Sequence, residues 1–85
     1  MKKLTVIKDE TCSFCGLMKE YLADAIESDS RFQSIRPEFV DYSESEAAKY
    51  DNYFVPAFYI DDELVCDGPA DRDEIVTILE RVIGD

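Results

Sequence analysis

The residues best suited to chemistry in this sequence are two cysteines, Cys12 and Cys15, which are separated by Ser13 and Phe14. They stand between a short apolar run and a helical pattern, so both sulfurs are expected on one face where a helix begins. At this spacing the two sulfurs are close enough to form a disulfide. Unpaired backbone N–H groups in a first helical turn favour the thiolate of the first cysteine. The thiolate is the reactive form of cysteine, so the pattern predicts sulfur chemistry.

The same pair of cysteines is also compatible with half of a zinc site, which needs two further ligands. The chain has one more cysteine, Cys66, and no histidine. A closed tetrahedral site would therefore require carboxylates or a second chain. A redox-active dithiol is the favoured interpretation, and zinc binding or two unreactive core cysteines are the alternatives.

Charge and cysteine count restrict the partners and the compartment. The 85 residues include 20 acidic and 9 basic side chains, which gives a formal net charge of −11. Such a chain is expected to bind no nucleic acid, and a basic protein face is a better partner. An odd number of cysteines, and a start without the apolar region of a signal peptide, predict a reducing cytoplasm. No apolar stretch is long enough to cross a membrane, and the length predicts one domain over residues 1–85.

The first half of the chain predicts the elements that position the dithiol. Residues 4–7 form a short β-branched run without alternation, which is typical of a central strand. Apolar residues at three- and four-residue spacing then predict a helix over about residues 13–27. A strand at about 36–41 contains Pro37 and should lie at a sheet edge. Ser43 with Glu46 three residues later predicts a short second helix within residues 42–50.

The second half of the chain predicts a hairpin and a last helix. Residues 55–60 and 64–66 read as two strands joined by an acidic turn. Asp71 with Glu74 resembles a capping box for a helix that ends before Gly84. The predicted class is therefore α/β, in the order βαβαββα, with a four-stranded mixed sheet flanked by helices.

Three features together resemble glutaredoxin, a family with a thioredoxin-like fold. They are Cys12-Ser13-Phe14-Cys15 after a strand, Val55-Pro56 before a hairpin, and Gly68-x-x-Asp71 before the last helix. The aromatic residue before the second cysteine also resembles glutaredoxin, whereas thioredoxin typically has a tryptophan before a CGPC sequence. The resemblance covers nearly the whole chain and implies a single glutaredoxin-like domain.

The resemblance implies a role for each matching residue. Cys12 would be the exposed nucleophile that forms a mixed disulfide with a substrate, and Cys15 would resolve it. Pro56 would be a cis proline against the dithiol, and Val55 would offer its backbone to an incoming chain or to glutathione.

The remaining matches concern glutathione, with Lys8 and Phe14 beside the dithiol. Gly68 and Asp71 match the ends of a motif in which a helix N-terminus receives a glutathione carboxylate. Three positions depart from the family pattern. Pro69 replaces a second glycine, Phe54 replaces a threonine, and Lys8 stands four residues before Cys12 where three are common.

We therefore expect a small thiol-disulfide oxidoreductase that reduces protein disulfides, low-molecular-weight disulfides or glutathione mixed disulfides. No cofactor is expected, glutathione is a candidate co-substrate, and either glutathione or a reductase would supply electrons to a monomer. The alternatives are a thioredoxin-like protein with a dedicated reductase, an iron–sulfur module held by Cys12 across a dimer, and a non-catalytic acidic interaction domain. Cys66 is interpreted as a half-buried strand residue, with a third exchanging thiol as its alternative.

Overall fold

A computed structural model describes residues 2–9, 13–44, 50 and 54–84 of the chain. Its strands are β1 (Leu4–Lys8), β2 (Glu38–Asp41), β3 (Ala57–Ile60) and β4 (Glu63–Asp67). Its α-helices are α1 (Ser13–Ser28) and α2 (Arg72–Ile83), with a short 3-10 helix at Ser30–Phe32. The described part of the chain therefore has mixed α/β structure.

The four strands form one open mixed sheet in the order β2-β1-β3-β4. β1 runs parallel to β2 and antiparallel to β3, which in turn is antiparallel to β4. Leu4 to Ile7 are all buried, so the prediction of a central strand is confirmed. β2 lies at an edge immediately after Pro37, which confirms the position predicted from that proline.

The strands divide the core into two clusters because successive side chains point to opposite faces of a sheet. Leu4 and Val6 of β1 pack in the larger cluster, which also receives the buried side chains of both α-helices. Ile7 packs on the opposite face with three buried residues of the neighbouring strands, Val40, Ala57 and Tyr59. The two described α-helices thus contribute to the same cluster, against one face of the sheet.

The two helices arise from local signals that the sequence carries. In α1 the buried residues Met18 and Leu22 recur at helical spacing. α2 begins with the predicted capping box: Asp71 Oδ1 accepts from the Glu74 N–H at 2.8 Å, and Glu74 Oε1 accepts from the Asp71 N–H at 3.2 Å. It ends at Ile83, and the N–H of the next residue, Gly84, donates to the Glu80 carbonyl at 2.9 Å.

Two details of the predicted order differ from the structure. The first strand of the hairpin begins at Ala57, so Val55 and Pro56 precede it, and the second extends over Glu63–Asp67. Two α-helices are described where three were expected. The predicted second helix within residues 42–50 lies mostly outside the described residues, and the described residues 42–44 form a turn and a bend.

Candidate functional site

The sheet brings several of the predicted site residues to one end of the molecule. Ile7 near the end of β1 pairs with Ala57 at the start of β3, and Ala57 pairs with Asp67 at the end of β4. The end of β1 and the described residues on either side of the hairpin, 54–56 and 68–71, therefore meet at this end. Residues 55–56 and 68–71 are placed here by the register of the strands alone.

Cys15 is the third residue of α1 and is buried, with 8% of its surface exposed. Its neighbour Phe14 is half exposed to solvent, so the first turn of α1 presents a ring outward and a sulfur inward. Cys12 lies outside the described residues. The sequence places it three residues before Cys15, immediately ahead of the first residue of the helix.

The loop before α2 is fixed directly to α1. The backbone N–H of Ala70 donates a hydrogen bond to Sδ of Met18 at 3.4 Å, across 52 positions of the chain. Met18 stands three residues after Cys15, and residues at this spacing lie side by side on a helix. Both side chains are buried. The loop at residues 68–71 is therefore held within about one helical turn of Cys15.

Pro56 and Gly68 are joined in the same region. The Gly68 N–H donates to the Pro56 carbonyl at 2.9 Å, and the Pro56 side chain is buried. The Val55–Pro56 peptide bond is cis, which is the conformation that the resemblance implies. Gly68 has φ of 123°, a backbone conformation that glycine adopts far more readily than other residues. This backbone conformation is sufficient to explain a glycine at position 68, whether or not the loop binds a ligand.

Phe54 forms an exposed aromatic wall beside Gly68. Its backbone N–H donates to Asp67 Oδ1 at 2.8 Å, while 65% of the residue's surface is exposed. A Cβ atom placed on Gly68 would lie 3.8 Å from Cβ of Phe54, so the two residues are in contact distance. The sequence indicated Phe54 as a departure from the family pattern and as a core or groove-lining aromatic residue, and the structure places it, exposed, next to Gly68.

Asp71 acts as the N-cap of α2, and its side chain is engaged with Glu74 as described above. Asp71 therefore lies at the predicted position, at a helix N-terminus next to Gly68. The structure also adds Met18 and Asp67 to the site. Met18 was predicted only as one of the apolar residues of a helix, because nothing local in the sequence indicates that its sulfur accepts a hydrogen bond.

Lys8 ends β1 and pairs with the strand beside it. Its Nζ lies 3.5 Å from Asp41 Oδ2, and both side chains are partly buried. Asp41 also accepts from the hydroxyl and the backbone N–H of Ser43, at 2.6 and 2.9 Å. The hydroxyl of Ser43 first, then its N–H and Lys8, lower the pKa of the Asp41 carboxyl despite partial desolvation. The predicted role of Lys8 at the dithiol stays a prediction.

Cys66 lies in β4, where Sγ is 3.5 Å from the Gly68 carbonyl oxygen that accepts its S–H. A cavity of about 270 Å³ between β4 and α2 is lined in part by Cys66, Asp73, Glu74 and Arg81. Burial, and then the charges of Glu74 and Asp67, raise the pKa of the Cys66 thiol. Cys66 is half-buried in its strand, which agrees with the favoured interpretation from the sequence.

Comparisons with known proteins leave the chain without a matched family. No protein-family model matches it, no curated protein matches it, and no solved structure matches it. Within residues 2–9, 13–44, 50 and 54–84, no three cysteine or carboxylate side chains are grouped as a metal site would require. No helix in this part of the chain combines the length and the apolar character needed to cross a membrane.

Proposed function

We propose that this chain is a thiol-disulfide oxidoreductase that passes two electrons from Cys12 and Cys15 to a disulfide substrate. The Cys12 thiolate attacks one sulfur of the substrate, which forms a mixed disulfide and releases the first substrate thiolate. The Cys15 thiolate then attacks Cys12, which releases the second substrate thiolate and leaves a Cys12–Cys15 disulfide. A reductant, either glutathione or a reductase, returns the pair to two thiols.

The observation that carries this proposal is the position of Cys15 in the first turn of α1. The helix begins at Ser13, directly after Cys12, so the first cysteine precedes a turn whose N–H groups and dipole favour a thiolate. Cys15 is buried one turn further in, where a large substrate has little access to it. This difference suits an attacking Cys12 and a resolving Cys15.

A thioredoxin-like fold of the glutaredoxin type is part of the proposal. The order of the strands along the chain and the mixed sheet support it. The placement of Pro56, Gly68 and the first turn of α1 at one end of the sheet supports it as well. We further propose a reducing cytoplasm as its compartment, since a dithiol donor must be kept reduced.

The proposal is tested by single-turnover exchange with a neutral substrate, bis(2-hydroxyethyl) disulfide. The reduced protein, freed of reductant, should consume two protein thiols for each disulfide reduced. Cys12→Ser should lower the rate to that of an ordinary cysteine. Cys15→Ser should stop after one thiol and retain a mixed disulfide that mass spectrometry detects. Cys66→Ser serves as the matched control and should keep both the rate and the stoichiometry.

Two results would contradict the proposal. Exchange at the original rate in Cys12→Ser would remove the assigned nucleophile. Loss of exchange in Cys66→Ser alone would move the chemistry to β4.

A further inference from the structure

We infer that the exchange site selects disulfide substrates whose cysteine is flanked by cationic residues in a protein chain, and that it disfavours glutathione. This inference rests on the proposed function and names its substrate class. It follows from three features of the loop at residues 68–71 and its surroundings: the use of its backbone N–H groups, its charge, and the exposed aromatic rings beside it.

The backbone N–H groups of the loop already have acceptors within the chain. The Gly68 N–H donates to the Pro56 carbonyl, the Ala70 N–H to Met18, and the Asp71 N–H to Glu74. Pro69 has no N–H to donate. A carboxylate that entered this loop would therefore have to displace an internal hydrogen bond at each of its three N–H groups.

Negative charge surrounds the same loop. Asp67 precedes it, Asp71 ends it, and Asp73 and Glu74 follow in the first turn of α2. Glutathione carries two carboxylates and one ammonium group, so it approaches this surface as an anion. Like charges repel most strongly at short range and low ionic strength. The surface should therefore slow the approach of anionic disulfides and speed the approach of cationic ones.

Arg72, the basic residue nearest to the loop in the sequence, contacts α1 and not the loop. The guanidinium of Arg72 lies 3.2 Å from Asp24 Oδ2 and stacks over the ring of Tyr21, with its central carbon 4.4 Å from the ring centroid. Both partners belong to α1, so Arg72 ties the two helices together.

Arg81 lines the same cavity as Asp73 and Glu74, but its guanidinium lies 3.7 Å from Glu63 Oε2 on β4, so it too pairs with a carboxylate outside the loop. Residues 68–71 themselves carry no basic side chain.

Exposed apolar side chains lie beside the loop and in the first turns of α1. Phe54 lies against Gly68 and is 65% exposed, and Phe14 beside Cys15 is 51% exposed. Leu17, one turn further along α1 from Phe14, is also exposed. Aromatic faces surrounded by acidic residues accept arginine and lysine side chains through cation–π contacts. The complementary occupant is thus a disulfide-bearing protein segment with basic residues next to its cysteine.

The experiment compares two peptides of equal length that carry one cysteine each, flanked by arginines in one and by aspartates in the other. Each is supplied as a mixed disulfide with 2-mercaptoethanol, and glutathione is supplied in the same form. Rate constants are measured with reduced Cys66→Ser protein, so that only the dithiol can exchange. We expect the arginine peptide to react about tenfold faster than the aspartate peptide and glutathione at low salt, as electrostatic steering provides.

Matched variants separate local charge from net charge. Asp73→Asn combined with Glu74→Gln should reduce the preference for the arginine peptide, since glutamine retains the capping-box contact. Glu27→Gln combined with Asp62→Asn removes two charges at the far end of α1 and in the hairpin turn, and should leave the preference unchanged. Phe54→Ala should reduce the preference at high salt as well, whereas Leu64→Ala, an exposed truncation on β4, should not.

Equal rates for the two peptides, or a faster reaction with glutathione, would overturn the inference while leaving the proposed function intact. Equal losses of preference in the two charge variants would also overturn it, because net charge would then explain the selectivity. If bis(2-hydroxyethyl) disulfide is not reduced by the same protein, the proposed function fails and the inference fails with it.

Discussion

The backbone N–H of Ala70 donates to Sδ of Met18, and this hydrogen bond of 3.4 Å joins the loop before α2 to the first half of α1. Both residues are buried, so the contact is shielded from competing water. It fixes the loop that contains Gly68 to the helix that carries Cys15. The contact therefore couples the stability of the helix pair to the shape of the candidate site.

Met18→Leu should lower the free energy of unfolding by more than the difference in side-chain shape between methionine and leucine explains. Leucine retains most of the apolar volume but leaves the Ala70 N–H without its acceptor. A buried donor without a partner costs about 1–3 kcal/mol, and the lower end is expected because sulfur is a weak acceptor. Leu22→Met, the reverse exchange one turn along α1, is the control. Urea unfolding of both variants measures the difference, and equal losses would show that the sulfur contributes nothing specific.

Gly68→Ala should destabilise the chain through its backbone rather than through a clash. The added Cβ would meet only Cβ of Phe54, at an ordinary contact distance of 3.8 Å. The φ of 123° is instead costly for alanine, by about 1–3 kcal/mol. Gly16→Ala is the matched control, because its Cβ would meet nothing within 4 Å in a helix, where alanine gains about 0.5–1 kcal/mol. Unfolding midpoints that move in the same direction for both variants would contradict this explanation.

Cys66 should react slowly with iodoacetamide near neutral pH. Its raised pKa reduces the fraction of thiolate, since burial and the carboxylates of Glu74 and Asp67 all disfavour the charged form. Because folding raises the pKa of Cys66, this thiol also makes stability depend on pH. Its contribution to the free energy of unfolding is complete below the pKa of the unfolded chain and is lost as the pH rises through the pKa of the folded chain. The rate of alkylation of the Cys12→Ser/Cys15→Ser protein, measured against pH, gives the pKa of Cys66.

Glu74→Gln should accelerate that alkylation, and Glu80→Gln on the same helix provides the control. Glutamine at position 74 preserves the capping box, so a change in rate would report charge rather than a loss of structure. A rate that stays the same in Glu74→Gln and rises only in urea would assign the low reactivity to burial alone.

The pKa of Asp41 should depend more on Ser43 than on Lys8. The Ser43 hydroxyl, at 2.6 Å from Oδ1, is the largest cause of the lowered pKa, and Lys8 is more distant, at 3.5 Å from Oδ2. Ser43→Ala should therefore raise the Asp41 pKa more than Lys8→Met does, as measured by carboxyl NMR titration. With a lowered pKa, the contribution of Asp41 is present above the unfolded pKa and is lost as the pH falls through the folded value. A larger effect of Lys8→Met would contradict this order.

Local patterns allowed several elements to be predicted closely. The repeat of apolar residues predicted α1 to within one residue of its observed end at Ser28. The pair of Asp71 and Glu74 predicted the capping box that begins α2. The unbroken apolar run at residues 4–7 predicted the central strand. Each of these signals involves residues within one or two turns of each other, so the chain encodes them without reference to the rest of the fold.

Which residues meet at the candidate site could not be predicted from local patterns, because it depends on contacts between distant parts of the chain. The partner of Lys8, Asp41, follows from the parallel register of β1 and β2, which no pattern near Lys8 indicates. The same is true of Phe54, whose N–H is held by a carboxylate 13 residues away. The expectation that Gly68 and Asp71 prepare an anion site came from their resemblance to a family motif, whereas the acceptors already used by this loop became visible only in the structure.

By itself, the sequence determined the pair of cysteines before a helix, the acidic charge and the local signals that begin and end the helices. The tertiary structure decided which loops lie against Cys15 and how their polar groups are used, through the sheet register and the contact between Ala70 and Met18. The physical reason is that capping and periodicity depend on neighbours along the chain. Burial and hydrogen-bond satisfaction in loops depend instead on residues that only folding brings together.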